Sequence, residues 1–200
     1  FNVPDGLVLD SDCFDTFLET NSLTETITKE LSKSTEGLSK KTIAKFKDSK
    51  LPKEIESQLE KLIDPKKLYA VRSSCTKEDL GDSSFAGQYQ SFLFTEAKDI
   101  ERRIIDCYKS TYNQNIVAYC KQNNIKLSEL KMAVVVQEMV NSDYSGICFT
   151  VNPTTGDDKE MLVEVAEGIG EEIVSGHNAP EQYFYSWYNN YTKIDKNNKI

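Results

Sequence analysis

MAVVVQEMV, residues 132–140, is the point at which the periodicity of the chain changes. Its run of valines suits a pleated surface, where β-branched side chains pack well, better than a helix, where they lose χ1 freedom. SGICFT (145–150) and MLVEVA (161–166) are further short runs of the same kind, separated by turns. NPTTGDD (152–158) carries Pro and Gly and reads as the loop between two of these strands. EGIGEEIVSGHNAPEQYFY (167–185) predicts a glycine-broken loop, a turn or two of helix and another strand. The polar tail NNYTKIDKNNKI predicts a hairpin or a frayed end.

Upstream the period is helical. From Ala97 to Gln122, residues Ile100, Ile104, Ile105, Tyr108, Tyr112, Ile116, Tyr119 and Cys120 form one i, i+3, i+4 stripe, which predicts a single helix over 97–122. VPDGLVLD (3–10) predicts a turn and a short strand, with Ser11 capping a helix through Phe14, Phe17 and Leu18. Residues 21–67, rich in Lys and Ser, predict short amphipathic helices with solvated faces, one of them opened by Pro52. Helices first and strands last predict an α+β fold of two lobes, 1–128 and 129–200, rather than a doubly wound parallel sheet.

Two hundred residues, 38% hydrophobic and 28% charged, are enough to build a core. A net charge of -8 disfavours nucleic acid, whose backbone wants a basic face, but leaves room for a nucleotide held by local positive groups. No apolar run approaches the ~20 residues of a membrane span, and no basic-plus-apolar leader stands at Phe1. Cys13, Cys75, Cys107, Cys120 and Cys148 are far apart and odd in number, a pattern of neither a disulfide framework nor a zinc site. The expectation is a cytoplasmic globular protein with buried free thiols, without membrane or nucleic-acid partners.

The long break in VRSSCTKEDLGDSSFAGQYQSFLF (71–94) is the first candidate for chemistry. An arginine at the end of an apolar strand is commonly a plain surface cation. Here Arg72 precedes Ser73, Ser74, Thr76, Ser83, Ser84 and Gly87, whose hydroxyls and open backbone N–H groups suit phosphate oxygens. A guanidinium fork beside them would add fixed positive charge. Gln137, Glu138, Met139 and Val140 read either as a strand leaving the core or as a hinge whose backbone edge meets a planar base. Glu164 alternates with Leu162 and Ala166, which leaves an open face and a cleft equally allowed. His177, the one histidine, reads as a solvated loop residue.

The whole of VRSSCTKEDLGDSSFAGQYQSFL closely resembles V-R-S-S-A-T-x-E-D-x-P-x-x-S-F-A-G-Q-x-x-T-F-L, a signature of phosphoenolpyruvate synthases and rifampicin phosphotransferases. MAVVVQEMVNSDYSGICFTVNPTTGD resembles the block that follows it in that family, and EVAEGIGEEIVSG a third. VPDGLVLDSDCFDTFLE is similar to the family's V-P-P-G-F start. The likeness is weakest over 21–67 and after 186.

The resemblance implies an ATP-grasp domain, incomplete at both ends, with ATP between two lobes. It makes the 73–91 loop a lid over the phosphates and assigns Arg72 to them as the catalytic cation. It places Ser73, Ser74, Thr76, Ser84 and Gly87 around the phosphates. Gln137, Glu138, Met139 and Val140 become the adenine hinge, and Thr150, Asn152 and Glu164 face the nucleotide pocket. It also implies Mg2+, with metal ligands outside this chain. The partners implied are a swivelling phosphohistidine domain and a pyruvate/phosphoenolpyruvate-binding domain of a parent protein. The family's glycine-rich lysine segment and its later carboxylate and arginine motifs are not matched, so residues 1–200 alone are expected to be inactive. Alternatives are the same domain of an antibiotic phosphotransferase, or a non-catalytic nucleotide-binding module.

Overall fold

Asp10 starts the first helix. Its backbone is extended and its carboxylate accepts hydrogen bonds from the N–H groups of Asp12 and Cys13, both at 3.1 Å. Asp10, and not Ser11, is therefore the cap, and the Cys13 backbone bond is the main cause that holds its carboxyl below the ordinary range. The computed structural model describes residues 2–32, 37–75, 79–80, 83–84, 90–123, 125–170, 180–186, 188 and 191–195, with the backbone alone at 79–80, 83–84 and 191–195. They fall into two units, Phe1–Met139 and Val140–Ile200.

The first unit runs β1 (Gly6–Leu9), α1 (Ser11–Thr20), α2 (Thr24–Leu31), α3 (Lys40–Asp48), α4 (Lys53–Leu62) and β2 (Leu68–Cys75). A two-stranded ribbon follows, β3 (Asp79–Leu80) against β4 (Ser83–Ser84), then β5 (Ser91–Glu96), α5 (Ile100–Ser110), α6 (Gln114–Gln122) and β6 (Met132–Glu138). The single helix expected over 97–122 is broken. Ala97–Asp99 is a 3-10 turn, and Asn113 interrupts the apolar stripe by accepting from Ile116 N at 2.9 Å, which caps a new helix. Periodicity carried the apolar face across this break because both helices bury the same side.

The sheet of this unit has the order β1-β6-β2-β5 and is antiparallel throughout. MAVVVQE is thus a central strand of the first unit. The 128/129 boundary expected from the change of period is displaced to Met139/Val140, because β6 is hydrogen-bonded on both sides by strands from much earlier in the chain. One face of the sheet is covered by α1 and α5. Val71, Met132, Val134 and Val136 point into that core at 0% exposure, beneath Phe14 and Phe17, whose rings each lie 5.1 Å from Tyr108. Each such apolar side chain contributes about 1.5–3 kcal/mol by leaving water.

The second unit is one antiparallel sheet, β10-β9-β8-β7, made of β7 (Tyr144–Phe149), β8 (Glu160–Glu167), β9 (Glu181–Ser186) and β10 (Tyr191–Asp195). Leu162 is its buried centre, paired with Phe149 on one side and Phe184 on the other. Gly146 is required by close approach, since a Cβ there would stand 2.6 Å from the carbonyl oxygen of Glu164.

Candidate functional site

Alternation along β2 divides the candidate phosphate residues between two faces. Val71 faces the helices, so Arg72 and Ser74 face away from them, and both are exposed. Ser73 turns back, and its hydroxyl donates to Gln90 O at 2.8 Å. Where the loop was expected to begin, at Ser73, the strand continues. β2 runs to Cys75 because every residue from Tyr69 to Cys75 pairs with β6. Ser84 lies on the β3–β4 ribbon with only its backbone described, while Thr76, Gly87 and His177 lie outside the described residues, as does most of the proposed lid.

The open face of the first sheet can be read off its register. Val8, Val135, Arg72 and Ser91 form one row across β1, β6, β2 and β5. Gly6, Gln137 and Ala70 form the next. A Cβ at Gly6 would meet Val136 O at 2.7 Å, so a side chain cannot stand between β1 and the end of β6. Arg72 makes no ion pair with any described residue. Arg72 and Gln137 thus share one face, one row apart.

The hinge residues are more constrained than an exposed edge. Gln137 Nε2 donates to Pro4 O at 3.2 Å, and Glu138 carries an ion pair to Lys67. The N–H groups of Glu138 and Met139 donate to Asp5 O and Leu68 O, both at 2.8 Å. Two of the backbone donors expected to read a base are therefore taken by the ends of neighbouring strands. Val140, 55% exposed, is the first residue past them and opens the second unit.

In the second unit Glu164 is half-buried on the face of Ile147 and Leu162, and it accepts a 2.7 Å hydrogen bond from Gln182 Nε2. Thr150 is exposed just beyond β7. Asn152 is 2% exposed and its polar atoms serve its own turn. Its Oδ1 accepts from Thr154 N and Thr155 N at 2.9 and 3.2 Å, and its Nδ2 donates to Glu160 at 2.5 Å. It shapes the NPTTGD turn from inside, where a residue in contact with a ligand was expected.

The family model for the "Pyruvate phosphate dikinase, AMP/ATP-binding domain" matches residues 1–197. The chain belongs to this family. Among its relatives, the uncharacterized phosphotransferase YvkC of Bacillus subtilis is 34% identical over 182 residues, covering 90% of this chain and 21% of that protein. The probable phosphoenolpyruvate synthase of Methanothermobacter thermautotrophicus is 42% identical over 116 residues, 58% of the chain and 17% of the relative. The phosphoenolpyruvate synthase of Pyrococcus furiosus is 38% identical over 115 residues, 57% of the chain and 14% of the relative. The chain spans about a fifth, or less, of the length of these relatives.

Two grooves among the described residues lie on the helical side of the first unit. One of about 440 Å³ is floored by Phe46 and Ile105, and another of about 500 Å³ lies between α1 and α2. Neither is lined by a residue expected from the sequence to bind a ligand. On the open sheet face Arg72 has no ion pair among the described residues. Among the described residues no group of three or more His, Cys, Asp or Glu side chains could hold a metal ion. None of the described helices is long and apolar enough to cross a membrane. The contacts of Lys67, Gln182 and Glu160 have no local pattern in the sequence, because each is set by strand pairing or a turn.

Proposed function

We propose that this chain is the ATP-binding portion of a phosphoenolpyruvate synthase-like dikinase, with an ATP-grasp arrangement of two lobes. The observation that carries the reading is Arg72, an exposed guanidinium on an open sheet face, without an ion pair among the described residues, in a chain of net charge -8. Its planar fork can take two phosphate oxygens at once and offset their charge. Ser74, two residues on and on the same face, adds a hydroxyl donor. The end of β6 at Gln137–Met139, continued by Val140, borders the base, and Glu164 is kept oriented by Gln182.

Bound ATP would supply the phosphoryl group for a carrier histidine elsewhere in the parent protein, with pyruvate as the later acceptor. Positioning and charge neutralisation dominate such transfers, so Arg72 acts by holding and neutralising phosphate oxygens and not by covalent chemistry. The test is equilibrium titration of the full-length protein with ATP, wild type against Arg72→Ala. A large loss of affinity supports the reading; unchanged affinity makes Arg72 a surface cation and overturns it.

A further inference from the structure

We propose that Lys67 is a positioning residue for recognition of the nucleotide base at Glu138–Val140. This inference rests on the nucleotide reading above and deepens it. β6 ends at Glu138, and the boundary between the two units follows Met139. That end is fixed from both flanks. On the β1 side, Pro4 O and Asp5 O accept from Gln137 Nε2 and Glu138 N. On the β2 side, Leu68 O accepts from Met139 N at 2.8 Å, and the neighbouring Lys67 ammonium pairs with the Glu138 carboxylate.

Lys67 is itself held by a built turn. Its N–H donates to Asp64 O at 3.1 Å, Asp64 Oδ1 accepts from Lys66 N at 2.9 Å, and Asp64 N donates to the hydroxyl of Tyr69, a core residue 3% exposed. The ammonium therefore leaves from a fixed point. Glu138 is the one acid in the 137–140 segment, and its side chain keeps 27% exposure. Without Lys67 its carboxylate would be free to swing and would present bare negative charge beside an anionic nucleotide. With Lys67 it is neutralised and drawn to the β2 side, which steadies the peptide groups that follow. An exposed pair of this kind adds little to stability. A role in positioning should then appear in base discrimination more than in the melting temperature.

The test compares ATP with ITP, which carry the same phosphates and differ in the purine at position 6. Dissociation constants for both are measured on the full-length wild type, Lys67→Met, Lys67→Arg and Arg72→Ala. The wild type should prefer ATP. Lys67→Met should shrink that preference by roughly two- to fivefold, the effect of losing an exposed pair, and Lys67→Arg should keep it. Arg72→Ala should weaken both nucleotides equally and leave the ratio alone. An ITP/ATP ratio in Lys67→Met equal to that of the wild type overturns the proposal, as does a wild type without preference; in both cases ATP binding would leave the nucleotide reading standing. A wild type that binds neither nucleotide overturns that reading first and this proposal with it.

Discussion

Gln182 on β9 donates a 2.7 Å hydrogen bond to Glu164, the residue it faces directly on β8. The carboxylate is half-buried, so its partner cannot be fully replaced by water. Gln182→Leu should lower unfolding stability by about 0.5–1.5 kcal/mol, the usual net worth of such a bond, and should weaken ATP binding as Glu164 loses its orientation. Urea unfolding followed by nucleotide titration checks both. A variant with wild-type values in each would remove Glu164 from the candidate site.

Arg72 makes the opposite prediction for stability. It is exposed and without an ion pair among the described residues, so Arg72→Ala should change stability by less than about 0.5 kcal/mol. Loss of a charged phosphate contact costs on the order of 1.5–3 kcal/mol, about tenfold or more in ATP affinity. Arg72→Lys keeps the charge without the fork and should fall between. Titration calorimetry and a thermal melt on the same samples separate the two effects.

Asn152 should behave as a structural residue. Asn152→Ala removes two acceptor bonds and one donor bond from a buried position and leaves Thr154 N and Thr155 N without their partner. A destabilisation of about 1–3 kcal/mol is expected, larger than that of Thr150→Ala at an exposed position. If Asn152→Ala instead keeps full stability and loses ATP binding, its side chain contacts the ligand after all.

The cysteines give a prediction with a sign. Burial pushes the Cys107 thiol from 9.0 up to about 12, and the Cys120 thiol up to about 11. The folded state therefore keeps these protons where the unfolded chain would lose them. Their contribution to stability is complete below about pH 9 and is lost as pH rises from there toward 11–12. Cys148, exposed on β7, should react with iodoacetamide in the native protein, while Cys107 and Cys120 should react only on unfolding. Peptide mass spectrometry after brief alkylation at pH 8 reads the order; native labelling of Cys107 would contradict its burial.

Strand runs with a clear period were legible in the sequence, and so was the α+β class. β6, β7 and β8 lie where the runs MAVVVQEMV, SGICFT and MLVEVA placed them. The break at Asn113 was not legible, because a capping side chain competes with the helix only locally while the apolar stripe continues across it. The extension of β2 through Ser73 and Ser74 was hidden for a related reason. Small polar residues carry no strand signal of their own, and their conformation is imposed by pairing with Val134 and Ala133. The site followed the same rule. Arg72 was recognisable because it sits in a motif, whereas Lys67 and Gln182 acquire their partners only through strand register, which no short window encodes.

The central place of β6 has a consequence for how the chain comes into being. Gly6 pairs with Gln137 and Cys75 with Met132, so the first sheet cannot close until nearly the whole unit has been synthesised. The second sheet is built from strands that follow one another in order, β7 to β10, each pairing with the next. During translation the early helices can pack only on one another until the central strand emerges, while the later sheet can zip up strand by strand. A nascent chain stalled before Met132 would leave Phe14, Phe17 and Tyr108 without the strand that backs them. The interval before β6 emerges is accordingly when this unit is most in need of a chaperone.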